Sequence, residues 1–564
     1  VIEGDAAITR TLLPLAAPAW AAARAFDQGA LAVPVTGGAP AVDDPTGLAT
    51  AALGYDVTLA PGESTDVPMA IPFEGPPAAL DRPGFDRAHA ATVASWRSTL
   101  GAVTLTVPPS RQAVADSVRT ALAQILMSRT GPALQPGTRS YDRSWIRDGT
   151  MMSDTLLRLG VTAPARSFAD WYGTKLFADG KVPCCVDPRG ADPVPENDAN
   201  GEYIHLVTQL YRFTGDRAAL ARDWPKIDAA RRYMDGQRAS ERTAASPAFS
   251  FGLMPRSISH EAYSAEPQYS LWDDFWALTG YKDAHFAATV LGRPEASAIA
   301  AARDQFAGDL HAAIKASTAK FGIDFLPGAT SLGDFDATST TIALDPAGEQ
   351  SALDATLLRN TFARQWARVE GRTAPNAKWA DYTPYEWRNV SAFVRIGWAE
   401  RANRLLDFYM SGQRPAAWNG WAEVVGRLPR EQRFIGDMPH AWVASDFIRA
   451  ALDLFAFERF SDHALVLGAG LTEPWLRGAG SSINGLRTAY GTLNLSLRRS
   501  GKAMVVNISG TAHPPGGFVL ALPSSTQRLV ATINGRRARP AKDGLHISAN
   551  GRAARIVVAP AAPK

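Results

Sequence analysis

Acidic, aromatic and imidazole side chains crowd one stretch of this sequence, residues 252–278, GLMPRSISHEAYSAEPQYSLWDDFWAL. Its first half, through Pro267, has the polar residues, glycine and prolines of a loop, whereas Leu271, Phe275 and Leu278 then recur at helical spacing. At the junction stand His260, Glu261, Tyr263, Glu266, Trp272, Asp273, Asp274 and Trp276. Carboxyl groups can move protons and flat aromatic faces can stack on the C–H face of a sugar ring, so the mixture fits a carbohydrate site. A plainer reading stands beside it: helices begin with acids because the macrodipole favours them, and Trp272 and Trp276, four apart, can be core packing.

The same mixture recurs ahead of other candidate helices. Tyr141-Asp-Arg-Ser-Trp-Ile-Arg-Asp offers Asp142, Arg147 and Asp148 beside Trp145. An Arg–carboxylate pair next to an indole can grip vicinal hydroxyls, one group donating and the other accepting. Glu196, Asp198 and Asn200 form a dense polar run that can also bind hydroxyls. That run suits a helix N-cap or a calcium loop too, but it lacks the EF-hand spacing, and no metal or organic cofactor is expected. Farther on come Glu386 and Trp387, then Trp421 and Glu423, then Gly436-Asp-Met-Pro-His440.

Composition narrows the partner. The 58 basic and 55 acidic residues leave a formal charge of +3, with no long basic run, which points away from nucleic acid and anionic membranes and toward a neutral ligand. Fifteen Trp is a high count, and Trp near Asp and Glu suits sugar binding. No apolar run approaches the roughly 18 residues of a membrane span. The only cysteines, Cys184 and Cys185, are adjacent, without disulfide or zinc spacing, and read as structural. The chain opens Val-Ile-Glu without a Met, so its true N-terminus, with any signal peptide, is expected upstream, and a glycan substrate would place the protein in the periplasm or outside the cell.

The elements that must position these residues fall into three blocks. Residues 1–95 read as part of a β-sandwich, with strands at 55–60 and 66–73 and a turn between them, followed by a polar helix near 86–100 and a short strand at 103–107. Residues 105–462 turn helical, with about ten amphipathic segments: 113–127, 146–159, 203–213, 218–234, 271–278, 298–314, 353–369, 390–398, 399–410 and 442–455. Paired helices joined alternately by short turns and long Gly-, Pro-, Asp- and Trp-rich loops are expected of an (α/α)₆ barrel. A solenoid would show a repeat period, and none is visible. Residues 463–564 return to short alternating strands and read as a C-terminal β-sandwich. The fold class is multidomain and mainly α.

The order of the clusters resembles the six-hairpin glycosidases, above all glucoamylase-like hydrolases, with similarity to trehalases and bacterial α-L-rhamnosidases. Trp145-Ile-Arg-Asp148 matches the W-x-R-D of glucoamylase-like enzymes, Asn197-Asp-Ala-Asn-Gly201 is similar to their N/Q-D-x-x-G segment, and Asp336-Ala-Thr-Ser is similar to a D-A-S helix start. Trp418 to Glu423 with Gly436 to His440 resembles the base-carrying region of rhamnosidase-like barrels, and the tail after Leu471 resembles their C-terminal sandwich. One departure matters: where glucoamylases carry G-[IL]-W-E, this chain runs Gly252-Leu-Met-Pro255.

The resemblance implies an exo-acting, inverting glycoside hydrolase acting on an oligo- or polysaccharide, with an α-glucoside as the default. Glu261 is the expected general acid, with Glu266 and Asp148 as rivals, and Glu423 the expected base, with Glu386 as runner-up. Trp145, Arg147, Asp148, Glu196, Asp198, Asn200, His260, Tyr263, Trp272, Asp274, Glu386, Trp387, Trp421 and His440 are the expected sugar-binding groups. A polysaccharide lyase using His260 and Tyr263, a glycoside phosphorylase, and a non-catalytic carbohydrate-binding protein are the alternatives.

Overall fold

A computed structural model describes residues 2–3, 6–7, 12–28, 39, 41–45, 49–71, 80–260, 262–430, 432–522, 528–551 and 553–561. The chain divides into two compact units, residues 1–99 and 100–564.

The first unit is poor in long strands among its described residues. Trp20–Arg24 pairs antiparallel with Thr50–Gly54, and Leu13–Pro14 with Met69–Ala70. The strand expected at 55–60 is absent; pairing falls instead on Thr50–Gly54, and Pro61 and Gly62 form the turn that follows. The helix α1, Arg82–Leu100, has no buried residue.

Twelve helices dominate the second unit: α2 (Gln112–Met127), α3 (Ile146–Arg158), α4 (Thr162–Tyr172), α5 (Ala199–Thr214), α6 (Arg217–Glu241), α7 (Leu271–Leu291), α8 (Ala296–Phe321), α9 (Ala337–Leu344), α10 (Ala355–Thr373), α11 (Arg388–Arg395), α12 (Ala399–Met410) and α13 (Ala441–Phe455). The odd-numbered helices from α3 to α13 pack each on the next, and α13 closes back on α3. The even-numbered helices lie against them, α2 on α13, α4 on α3, α6 on α5, α8 on α7, α10 on α9 and α12 on α11. The inner helices are buried nearly all round: every residue of α13 is buried, as is all of α3 but Arg158. The charged residues on these buried helices are paired inside, as Asp453 is with Arg158 and Arg449 with Asp345.

Connections alternate in length. Two residues, Gly215 in the left-handed conformation (φ 70°) and Asp216, whose carboxylate accepts from Ala219 N at 2.9 Å, end α5 and start α6. The left-handed stop and the acidic cap make a tight helical hairpin. By contrast, the loops 128–145, 173–198, 242–270, 322–336, 374–387 and 411–440 each lead into the N-terminus of an inner helix. Every expected cluster lies in one of these loops or in the first turn or two after it, so the cyclic packing gathers them at one end.

After α13 the chain enters two sheets. One has four strands in the order Ala456–Arg459, Ala464–Leu467, Phe518–Leu520, Leu545–Ile547. The other is antiparallel with seven: Arg536–Ala538, Leu529–Ile533, Ala554–Pro560, Ala503–Gly510, Gly491–Ser500, Ser481–Thr488 and Thr104–Thr106. The last of these stands ahead of all twelve helices in sequence, and α3 packs on Ser481–Thr488. These contacts tie the sheets to the helices in one unit. No helix among the described residues is long and apolar enough to cross a membrane.

Candidate active site

Arg147 occupies the first turn of α3, with its side chain only 4% exposed. Its Nη1 lies 2.5 Å from Glu196 Oε2 and 3.4 Å from Asp198 Oδ2, and its Nε lies 3.7 Å from Asp148. A guanidinium buried this deeply needs such partners, since an unpaired charge would be costly there. Asp198 also accepts from Trp272 Nε1 at 2.8 Å. Glu202, one turn into α5, is pushed well above the ordinary carboxyl range by burial and by Asp198. Trp145 stands beside this group on a short strand that pairs with Cys185.

His260 reaches the same place from the loop before α7. Its ring centroid is 4.6 Å from that of Trp272, its Nδ1 is 3.0 Å from Ser259 Oγ, and its Nε2 is 3.4 Å from Ser339 Oγ. Burial lowers its pKa to about 4, so it is neutral at physiological pH. Asp273 fastens the loop by accepting from the hydroxyls of Ser257 and Ser259.

In the loop before the neighbouring helix α13, Glu423 is held by two phenols. Tyr385 OH donates to Oε1 at 3.0 Å and Tyr141 OH donates to Oε2. Glu423 is only partly buried, unlike the carboxylates around Arg147. Asp437 places Tyr141 by accepting the backbone N–H groups of Arg139, Ser140 and Tyr141 at 2.8–3.2 Å. Gly436, at φ 72°, passes so close that a Cβ there would lie 2.6 Å from Glu423 Oε2. His440 accepts from Val443 N at the start of α13 and lies 3.4 Å from Tyr385 OH; burial pushes its pKa down to about 3.

Aromatic rings and a second arginine join the two halves. The Tyr385 and Trp442 rings are 4.1 Å apart, and Arg147 lies 5.1 Å from the Trp442 ring. Arg388, bonded to Asp446 at 2.9 Å, lies 5.0–5.3 Å from Trp272, Trp442 and Tyr385. Sequence reading passed over Arg388, Trp442, Tyr385, Tyr141 and Glu202. Their positions at the mouths of inner helices, beside residues already singled out, were the available signal.

Several expected contacts with sugar are corrected by the packing. Glu386 is saturated: Arg372 grips it at 2.7 and 2.8 Å, and Gln365 and Tyr409 donate at 3.0 and 2.9 Å. Trp387 is fully buried against Tyr409, Trp421 and Phe447, and Trp421 donates to the Tyr409 carbonyl at 2.7 Å. These three are core. Asn200 spends its amide on the backbone of Gly180, Val182 and Ala230. Asp274, fully buried, accepts from Met254 N at 2.9 Å, and burial raises its pKa to about 8. Tyr263 donates to Asp334 at 2.9 Å, which ties two loops together, and Glu266 is exposed. Trp272 has no exposed surface, so it acts as a wall behind His260 and Asp198. Glu261 lies outside the described residues, between His260 and Ala262.

Among the described residues, Cys184, Cys185 and Asp192 bring candidate metal-ligand atoms within 4.8 Å of one another. Asp192 is engaged by Arg143 at 2.9 Å, and the neighbouring Cys185 thiol together with burial holds the Cys184 thiol protonated. Both thiols pack with Trp145 in one small buried cluster.

No family model matches the chain, and no curated protein matches it in sequence. Solved structures do match in fold. An α-L-rhamnosidase from Dictyoglumus thermophilum is 12% identical with a TM-score of 0.56, over 81% of this chain and 50% of that one. The Streptomyces avermitilis α-L-rhamnosidase complexed with L-rhamnose gives 14% and 0.51, over 81% and 42%. A rhamnosidase of family GH78 from Bacillus sp. GL1 gives 13% and 0.50, over 75% and 43%. This chain therefore spans about half the length of the enzymes it is matched to, or less. In fold it resembles the six-hairpin (α/α)₆-barrel glycosidases.

Proposed function

We propose that the chain is an exo-acting, inverting glycoside hydrolase whose catalytic barrel is an (α/α)₆ ring within residues 105–462. Glu423 is the general base, Glu261 the general acid, and Arg147 with Glu196, Asp198 and Asp148 binds the terminal sugar, walled by Trp145 and Trp272. The observation that carries this reading is the Glu423 clasp. A partly exposed carboxylate fixed by two phenol donors is aimed, as a base activating water must be. It faces a buried Arg–carboxylate–indole group at the same end of the ring.

In an inverting enzyme the acid protonates the leaving glycosidic oxygen while the base takes a proton from water on the opposite face of the sugar. Glu261 is next in sequence to His260, whose ring is fixed against Trp272, and this neighbour supports its choice as the acid. The rhamnosidases among the structural neighbours make a terminal α-L-rhamnoside the first substrate to test, ahead of the α-glucoside that the sequence motifs suggest. The lyase alternative loses support, because Tyr263 is committed to Asp334 and His260 to two serines.

The test is an assay of chromogenic α-L-rhamnoside and α-D-glucoside, with the product anomer followed by proton NMR in the first minutes. Release of one monosaccharide with inverted configuration, falling at least about 10³-fold in Glu423→Gln and in Glu261→Gln, is expected. Retained configuration, or full activity in Glu423→Gln, would sink the assignment.

A further inference from the structure

A cavity of about 860 Å³ opens at the far end of the helical ring, and the proposed chemistry does not use it. Its wall comes from the C-terminal halves of α3, α5, α7, α11 and α13, from Asp345 just after α9, and from residues 456–465 and 486–490. The size lies within the roughly 300–1,000 Å³ of small-molecule sites.

Charge identifies the kind of ligand. Seven Arg and Lys side chains line the cavity against five Asp and Glu. His205 adds a cation: it lies 2.6 Å from Asp283 and 3.3 Å from Asp154, and although burial opposes its charge, these carboxylates hold its pKa up at about 9. The six inner helices turn their C-terminal ends this way, each worth roughly half a negative charge, which offsets the cationic excess. The balance suits a ligand without net charge.

Ion pairs satisfy much of the lining. Arg158 bonds Asp453 at 2.8 Å, Arg212 bonds Asp283 at 2.6 Å, and Arg395 and Arg449 each lie 3.1 Å from Asp345. Arg395 Nε, Arg449 Nη1 and Asp154 Oδ1 make no hydrogen bond among the described residues but are closed off from the cavity, and Asp453 Oδ2 lies 3.6 Å from Arg395 Nη2. Asp154, Arg449 and Asp453 are all more than nine-tenths buried. A hydroxyl group donates and accepts, and so do the partly exposed side chains of Gln209 and Tyr490 in the lining, so a hydroxyl-rich molecule can pair with them. Phe286, Phe457 and Tyr490 supply flat faces of the kind a sugar ring stacks on. We propose that this cavity is a second binding site, for a neutral sugar of mono- to disaccharide size, separate from the site that carries Glu423.

Saturation-transfer NMR of the intact chain with D-glucose, L-rhamnose and trehalose tests this. For at least one sugar, a dose-dependent signal is expected that Ala489→Trp, which fills the wall, lowers to the level the Glu423 site alone gives. Tyr490→Ala, which deletes a stacking face, should weaken it about tenfold. Both variants should keep the wild-type circular dichroism and rate of glycoside hydrolysis. No signal from any of the three sugars, or a signal unchanged in the folded variants, overturns the proposal; if Ala489→Trp does not fold, Tyr490→Ala alone decides. A chain that hydrolyses no glycoside yet loses its sugar signal in Ala489→Trp would overturn the catalytic reading and leave this one standing.

Discussion

Taking one phenolic oxygen away from Glu423 tests its role as base more sharply than deleting the carboxylate. Tyr385→Phe removes the 3.0 Å bond to Oε1 and leaves the ring stacked 4.1 Å from Trp442, so the fold changes little. A hydrogen bond to an ionised carboxylate is worth about 1.5–3 kcal/mol and favours the charged form, so losing it raises the pKa of the base. At 1.36 kcal/mol per unit the ceiling is about 1–2 units. Glu423 is partly exposed, so water replaces some of the lost bond and about one unit is expected. The acidic limb of kcat/KM against pH reports the base of the free enzyme, and it should move up by that amount, with kcat at the optimum falling about tenfold. Tyr141→Phe should behave alike, since its hydroxyl serves the other oxygen. An acidic limb that stays in place in both variants, each with unchanged melting temperature, refutes the assignment.

Glu386→Gln separates structure from catalysis in the opposite sense. It leaves the Arg372 guanidinium, 5% exposed, facing a neutral amide, and breaking such a buried pair costs about 3–5 kcal/mol, seen as a lower urea midpoint. The pH profile of the folded enzyme should match wild type; a shifted acidic limb with an unchanged midpoint would make Glu386 the base. His205 should give stability its own pH dependence. Its pKa is raised from 6.5 to about 9, so the stabilisation is full below pH 6.5 and is lost as pH rises through about 9. The loss approaches about 3 kcal/mol by urea unfolding, and His205→Gln should flatten that slope. An equal slope in the variant rules out the His205 contribution.

Much of the fold was legible because helical periodicity survives in single segments. Ten of the twelve ring helices were expected from apolar spacing, and α12 was placed at 399–410 without error. The two that were missed explain themselves. Thr162–Tyr172 carries Pro164 in its first turn, and Ala337–Leu344 is short, with small or β-branched side chains at every position but Leu344. α9 shows no amphipathic face because it is buried over most of its surface, whereas α4 buries Ala165, Phe168, Ala169 and Tyr172 on one face behind that proline. The N-terminal strands were misplaced by a few residues because alternation at 55–60 is also compatible with an extended, unpaired segment.

The site was legible in composition and much less so in role, and the reason is physical. Residue types suited to sugar binding also suit a large core: Trp387 and Trp421 pack in the interior, whereas Trp442, with the same side chain, lies between Arg147 and Tyr385. Sequence assigned Glu386 and Glu423 the same chemistry. What distinguishes them is who reaches them: a buried arginine neutralises the first, while the second meets two phenols and retains exposure. Both Tyr141 and Arg372 come from loops or helices remote in sequence from the glutamate they bind or closer by one hairpin, and only closure of the ring brings Tyr141 to Glu423, 282 residues away. Partner geometry, not acid identity, favours Glu423 over Glu386 as the proposed base, and the pH limb of the tyrosine variants tests that choice directly.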